Sequence, residues 1–566
     1  MRRDSDQDGE RISRSRFSVL GVLLSIAFIV WQATWAVVTP YFRGPDEVQH
    51  FNSVLRMATS MSWPDPGEAR IDSGVIRAIH EAGFMAGSDD HFAIANKTPL
   101  HGGTAEFSGY ATPYYQAHIV PHSQRTTLEF GIENPTSYVD QMTQHPPLYY
   151  LITGRLLNWF GGTEWKWDRQ LLFARMISIL ITVPLVPSVL YTSRKLQFRR
   201  DTSLAVGTTV FAIPQLVFST SLVTNDALAI GAGALTIAGV AEAMFGKESW
   251  KAVIVAGFGL GLGLWSKGTF IPMGLVVFIA FLVNQNTGSV TRRLTRGLAA
   301  GLLGVTIGGY WWIRNLVKFG SIQPTSESVS GNAGENSGIA PFVRRVFRLF
   351  IDSSWGELGW LEWWLPAYLI GALALAATAL SVIALVRGPN RMKLMVLLLY
   401  YPLAAAVVVF GSYKAFRAFD VVQGIQGRYL FPGVVGLLVV AGSAWAPAFE
   451  KRTPSNRHGT IAKRLLSGLV VAGVALFSLL DWFLALYPGL HHRGILDWSR
   501  WSLAAGVGID YLVVLSSAAV LAASFVVYCW LTGVRIDARG LGDERTVEGE
   551  NRPFQGAAPN LCTGGA

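Results

Sequence analysis

Two adjacent carboxylates, Asp46 and Glu47, follow the first long apolar run, in a stretch reading YFRGPDEVQHF over 41–51. A carboxylate placed at a membrane edge can act as general base, taking the proton of a hydroxyl as it attacks. The plainer reading is a helix start, where acids complement the dipole and Pro45 suits the first turn. A helix over 46–58 puts Asp46, Glu47 and His50 on one face and Val48, Phe51 and Leu55 on the other. That is the pattern of a helix lying on a membrane surface, carboxylates toward water.

Three cations could meet a phosphate. Lys267, Arg314 and Arg428 each close or open an apolar run at the same end as the acidic pair, against the usual charge bias, and charge-assisted hydrogen bonds make phosphate their natural partner. Snorkelling to lipid headgroups is the alternative. His145-Pro-Pro-Leu148 turns the chain into an apolar helix, and Asn225-Asp226 forms a tight turn that turn chemistry alone could explain. Arg344, Arg345 and Arg348, interleaved with Phe and Val and followed by four tryptophans, read as a second surface helix with an aromatic belt. Asp352, Glu357 and Glu362 beside it are candidates for binding a polar acceptor. Seven of the ten histidines fall in 50–145. Their spacing is irregular and no cysteine joins them, so no metal site is assigned. Gly257, Gly259, Gly261 and Gly263 lie inside an apolar run with no preceding strand, which suits close helix packing rather than a nucleotide loop.

The elements that hold these groups follow from composition. Hydrophobic residues make up 51% of 566 and charged residues 15%. Apolar runs near the ~20 residues needed to cross a bilayer recur from Phe17 to Trp530. The chain reads as an all-α polytopic membrane protein. Its net charge of +10 lies in loops between the runs, so topology explains it better than nucleic acid does. Cys529 and Cys562 suggest no disulfide framework. The first run is too long for a signal peptide and lacks a small-residue cleavage site.

About twelve spans are expected, the first over 17–38 and the last over 512–530, with 252–265 and 270–283 the shortest. The segment 146–160 decides the topology. If it lies flat, the basic loops holding Arg194, Arg292, Arg387 and Lys451 all fall inside, as the positive-inside rule requires; if it crosses, they all fall outside. The expected layout is therefore a cytoplasmic disordered N-terminus over 1–16, a membrane domain over 17–532, and a cytoplasmic disordered tail over 533–566. Large extracytoplasmic loops span 39–170 and 313–364. The location is the cell membrane, with both termini cytoplasmic.

The stretches Pro45-Asp46-Glu47-x-x-His50, His145-Pro-Pro-Leu148 and Trp312-Ile-Arg314-Asn315 resemble the polytopic GT-C glycosyltransferases. Protein O-mannosyltransferases and lipid A aminoarabinose transferases are the best-known relatives. Asn225-Asp226 and Gln426-Gly-Arg428-Tyr-Leu-Phe-Pro432 look closer to a bacterial family of predicted membrane proteins, a domain of unknown function, in that superfamily. The resemblance covers about 17–530. It implies a GT-C-like bundle and inverting transfer of a sugar from a polyprenyl-phosphate donor to a glycan, lipid or protein acceptor of the envelope. Asp46 matches the family's base, and Glu47 would orient base or acceptor. No acid is needed, because the leaving phosphate is already a fair anion. Arg428 or Lys267, with Arg314 third, would stabilise its charge. His50, His145, Asn225, Asp226 and Gln426 would line the rest of the substrate site. The isoprenoid chain would lie in a groove between spans. No cofactor is called for, and a divalent cation is left open. The absence of a soluble domain after the last span argues against an oligosaccharyltransferase.

Two other classes remain. A transporter or flippase of a lipid-linked glycan would bury charges mid-span, and the spans read as nearly free of them apart from Glu242 and Asp481. A non-catalytic envelope-assembly protein would tolerate Asp46→Asn.

Overall fold

Helices dominate because the apolar runs must satisfy their own backbone groups in a membrane. A computed structural model describes residues 12–83, 119–128, 130–131, 135–246, 249–284, 288–324, 338–361, 363–388, 390–450 and 457–486. Seven helices among them are long and apolar enough to cross a membrane: Arg14–Val38, Trp167–Lys195, Asp226–Phe245, Ala367–Arg387, Arg391–Phe419, Gly427–Ala448 and Leu466–Leu486. Arg200–Ala212 and Pro214–Thr220, bent by 74° at their junction, make an eighth if taken as one span. Pro214 lacks the amide that would continue the first helix, which places the bend there.

The expected count of twelve is thus not reached among the described residues. The shortest two expected spans are the short helices Trp250–Leu264 and Gly268–Val283. Val290–Gly308 gives way at Gly309 to a separate helix, Tyr310–Phe319. The expected last span, over 512–530, and both terminal segments lie outside the described residues, apart from the stretch from Ile12 to Arg16.

Asp226–Phe245 is the central post, buried along nearly its whole length. Its glycines let neighbours touch its backbone. A Cβ on Gly233 would run into the Pro432 backbone, so the Gly427–Gly433 turn packs directly on this helix. The glycine series does the same work. Gly259 faces the Thr236 backbone, and Gly257 and Gly261 face the Val290–Gly308 helix. Such small-residue contacts are how membrane helices approach closely.

Above one end of the bundle sits a loop layer with its own apolar core, including Phe42, Phe51, Val54, Ile79, Tyr149 and Trp167. The Glu47–Thr59 helix and the Leu148–Trp159 helix form its centre. They cross so closely that a Cβ on Gly154 would meet the carbonyl of Val54 at 2.5 Å. A strand, Arg70–Asp72, pairs antiparallel with Pro135–Val139 beside them. The expectation of a helix with carboxylates toward water is corrected here. Glu47–Thr59 is buried on nearly all sides: Arg175 covers Glu47, Tyr150 of the second helix meets His50, and the strand pair meets Asn52. Its polar residues face partners instead. Asn52 and Ser53 both donate to Asp140, at 2.7 and 2.8 Å.

Basic residues gather at the opposite end. Arg200 donates to the carbonyl of Ile12, before the 25-residue helix that ends near Asp46. Lys393 donates to the carbonyl of Met244.

Candidate functional site

Four helix ends meet where the loop layer rests on the bundle. Asp46 is the last residue before the Glu47–Thr59 helix. It has φ 58°, a left-handed conformation that aspartate tolerates, and its side chain makes no cap bond to its own helix. The carboxylate turns outward instead and accepts a hydrogen bond from Arg428 Nη2 at 2.9 Å. Arg428 opens the Gly427–Gly433 turn, pressed against Asp226–Phe245 by the Gly233 contact. Its Nε lies 3.4 Å from Asp226 Oδ2 and donates to Gln426 Oε1. Lys267, between the two short apolar helices, reaches the other oxygen, Asp226 Oδ1, at 2.6 Å. Its ammonium also sits 4.6 Å from the centre of the Tyr429 ring.

The result is a chain of alternating charge: Asp46, Arg428, Asp226, Lys267. Arg428, Asp226 and Lys267 are buried, their side chains 4%, 2% and 6% exposed. Asp46 is the open member at 30%. Burial of this set is tolerable only because each charge meets an opposite one.

Neutral polar groups surround the chain. Asn225 donates to the Ser266 carbonyl at 3.2 Å, while its Oδ1 is buried with no hydrogen-bond partner. His145 Nδ1 is in the same state. Burial, and then the positive charge of Lys267, hold His145 down to about 3, so its ring is neutral at ordinary pH. The same two causes hold His50 well below its usual value. His50 shares a 2.8 Å hydrogen bond with Tyr150. Trp63 donates to the His145 carbonyl and packs its ring 4.9 Å from that of Tyr150.

Three sequence candidates stand differently from the expectation. Glu47 is fully buried and committed. Arg175 grips it with Nε and Nη2 at 2.8 and 2.7 Å, and the Val223 and Gly44 amides donate to it as well. Glu47 therefore fixes Asp46 through the backbone. Arg314 pairs with Asp65 at 2.7 Å, beside Lys318, and no hydrogen bond or ion pair among those described joins it to Arg428 or Lys267. Asn315 accepts from Arg314 and donates to the Ile322 carbonyl, in that separate cluster.

Arg175 was not singled out in the sequence, yet it is fully buried in an apolar helix. It also donates to the carbonyls of Ala36, Thr39 and Pro40, so it ties the end of the first helix to the acidic pair. An arginine inside an apolar run is costly unless paired, and that was the available signal. It corrects the reading of the spans as nearly free of buried charge apart from Glu242 and Asp481. Among the described residues no group of three or more His, Cys, Asp or Glu could hold a metal ion.

The helix bundle with a buried, self-neutralising charge chain under a loop layer defines a polytopic helical membrane protein. Residues 28–437, more than half of the chain, match the family model described as "Predicted membrane protein (DUF2142)", and the chain belongs to that family. No curated protein matches the sequence. Among solved structures the chain is similar to ArnT from Cupriavidus metallidurans bound to undecaprenyl phosphate, at 16% identity and a TM-score of 0.42, covering 91% of this chain and 78% of that one. It is also similar to the archaeal oligosaccharyltransferase AglB from Archaeoglobus fulgidus in complex with an inhibitory peptide and a dolichol-phosphate. There the identity is 10% and the TM-score 0.45, and the match covers 84% of this chain but 56% of that one.

Proposed function

We propose that the protein is an inverting glycosyltransferase that moves a sugar from a polyprenyl-phosphate donor to an envelope glycan, lipid or protein acceptor on the extracytoplasmic face of the cell membrane. The observation that carries the reading is the Asp46–Arg428 contact, an open carboxylate held by a buried guanidinium. Arg428 and Lys267 are the donor-phosphate site, and Asp46 is the base.

The donor phosphate competes with Asp46 for Arg428. Once it is seated, the carboxylate is released and faces the acceptor. The acceptor oxygen then forms its bond to the anomeric carbon from the side opposite the phosphate, and its proton passes to Asp46. The bond between the anomeric carbon and the phosphate oxygen breaks, leaving both electrons on the phosphate. Arg428 and Lys267, already fixed by Asp226, stabilise that charge without rearranging. This assigns to two side chains the role a divalent cation would otherwise fill. The unpartnered Asn225 Oδ1 and His145 Nδ1 supply hydrogen-bond positions for sugar hydroxyls. A single base suffices because the leaving group needs no proton, unlike the paired carboxylates of most glycosidases.

The test is sugar transfer by full-length protein in lipid nanodiscs, from a panel of polyprenyl-phosphate sugars. Wild type is expected to transfer at least one. Asp46→Asn is expected to lose about 100-fold or more in kcat while still binding polyprenyl phosphate. Full activity of Asp46→Asn would overturn the base assignment.

A further inference from the structure

The Ile339–Trp355 helix is docked along one face. Phe342 packs its ring 4.8 Å from that of Phe416 and 5.5 Å from that of Tyr413, at the end of the Arg391–Phe419 span that leads on to Arg428. Val346 joins the same small apolar core. Beside that face, Ile339, Val343 and Phe347 stand four residues apart and form one ridge, 65%, 57% and 68% exposed. Arg344 and Arg348, each one residue further on, form a second exposed ridge on the side away from the docked face. The helix carries Arg345 as well, and its one acid, Asp352, is paired with Arg348 at 3.3 Å. The next elements mark its depth. Trp363 and Tyr368, 38% and 72% exposed, flank the start of the Ala367–Arg387 span. Exposed tryptophan and tyrosine at the start of a span sit at the membrane–water interface.

We propose that the Ile339–Trp355 helix is a seat for anionic lipid that steadies the turn carrying Arg428. Its apolar ridge sinks among the acyl chains of the leaflet at this end of the bundle, and Arg344 and Arg348 meet anionic headgroups. Both halves of the surface then find a complement: the apolar ridge lies at membrane depth, where lipid covers it, and the arginine ridge carries a charge that a neutral bilayer would leave unanswered. The seat reaches the charge chain through the other end of the same helix. Ser353 Oγ accepts the Gly427 amide at 2.7 Å, one residue before Arg428. Gly427 lies against Ser354 so closely that no Cβ fits between them. A helix held down by lipid therefore holds the turn that carries Arg428, and a helix free to lift loosens it. Anionic lipid acts on Arg428 in this way from outside the charge chain. The seat stands independently of the donor reading given above.

The test is amide hydrogen exchange of full-length protein, one copy per nanodisc, in phosphatidylcholine alone and in phosphatidylcholine mixed with phosphatidylglycerol. In wild type the amides of 339–350 are expected to exchange about tenfold more slowly in the anionic discs, and those of 426–431 to slow in the same sense. Raising the salt to about 0.5 M is expected to shrink the difference. In Arg344→Gln/Arg348→Gln it is expected to vanish, and in Arg344→Lys/Arg348→Lys, which restores the charge, to return. Exchange across 226–245, buried in the bundle, is expected to be the same in every sample and reports that the variants are folded. Equal wild-type exchange in the two kinds of disc would overturn the seat. So would an undiminished lipid response in the glutamine variant, or a lysine variant that fails to recover it. If the glutamine variant does not fold, the wild-type comparison across lipid and salt decides alone. Protection of 339–350 with no change at 426–431 refutes the link to Arg428. Protection that follows the number of copies per disc rather than lipid charge would give the ridge to a second copy of the chain and overturn the lipid seat.

Discussion

Arg428 Nη2 donates to Asp46 Oδ2 across 2.9 Å although 382 residues separate them in the chain. The same guanidinium meets Asp226 through Nε, so its planar fork spans two carboxylates at once. An ammonium offers a single point of charge and cannot hold both in the same geometry. Arg428→Lys is therefore expected to keep the fold but lower kcat/KM for transfer by about 10- to 100-fold. Transfer kinetics beside size-exclusion profiles check this, and wild-type kinetics in Arg428→Lys would refute the bidentate role.

Glu47 and Arg175 form a fully buried pair, each side chain 0% exposed. Removing one partner leaves the other charge uncompensated. Glu47→Gln and Arg175→Met are each expected to destabilise the protein by about 3–5 kcal/mol, and the double variant Glu47→Gln/Arg175→Met by less than the sum. Thermal unfolding in detergent reads this. A Glu47→Gln protein as stable as wild type would show that the clamp does not hold the acidic pair.

Buried neutral histidines make stability depend on pH. His50 and His145 both have folded values below the unfolded value near 6.5, His145 at about 3. Between those values the unfolded chain holds the proton and the folded chain does not, so stability rises with pH through that window and is lost on acidification. The slope per histidine has an upper bound of about 1.4 kcal/mol per pH unit. His145→Gln is expected to flatten the melting-temperature profile between about pH 4 and 6.5 relative to wild type. Parallel profiles would place His145 in a solvated setting.

Gly427 has no room for a side chain, because a Cβ there would strike Ser354. Gly427→Ala must push the Ile339–Trp355 helix away from the turn that carries Arg428. Transfer is expected to fall about tenfold or more with the bundle still folded. Protection of 339–364 in hydrogen exchange should drop in the same variant. Unchanged exchange and activity would mean the helix end yields freely.

Much of this organisation was legible from the chain because membrane burial writes itself into composition. The uncharged runs announced the helical bundle. The alternation of runs and basic loops grouped Asp46, Asp226, Lys267 and Arg428 at one end, since successive spans return the chain to the same side. The glycine series in the Trp250–Leu264 helix was readable as a packing face for the same reason: an apolar run has no other use for so many small residues.

The division of labour between Asp46 and Glu47 was not legible. They are neighbours of the same chemistry, yet one is fully buried against Arg175 and the other stands 30% exposed beside Arg428. The left-handed backbone at Asp46 sends the two side chains to different partners, and Arg175 also holds the carbonyls of Thr39 and Pro40 earlier in the same loop. The sequence by itself determined a helical membrane protein with its acids and cations at helix ends. Only the tertiary structure decided which of them meet, because pairing depends on the depth and rotation of each helix, set by contacts such as Gly233 on Pro432 that link stretches far apart in the chain.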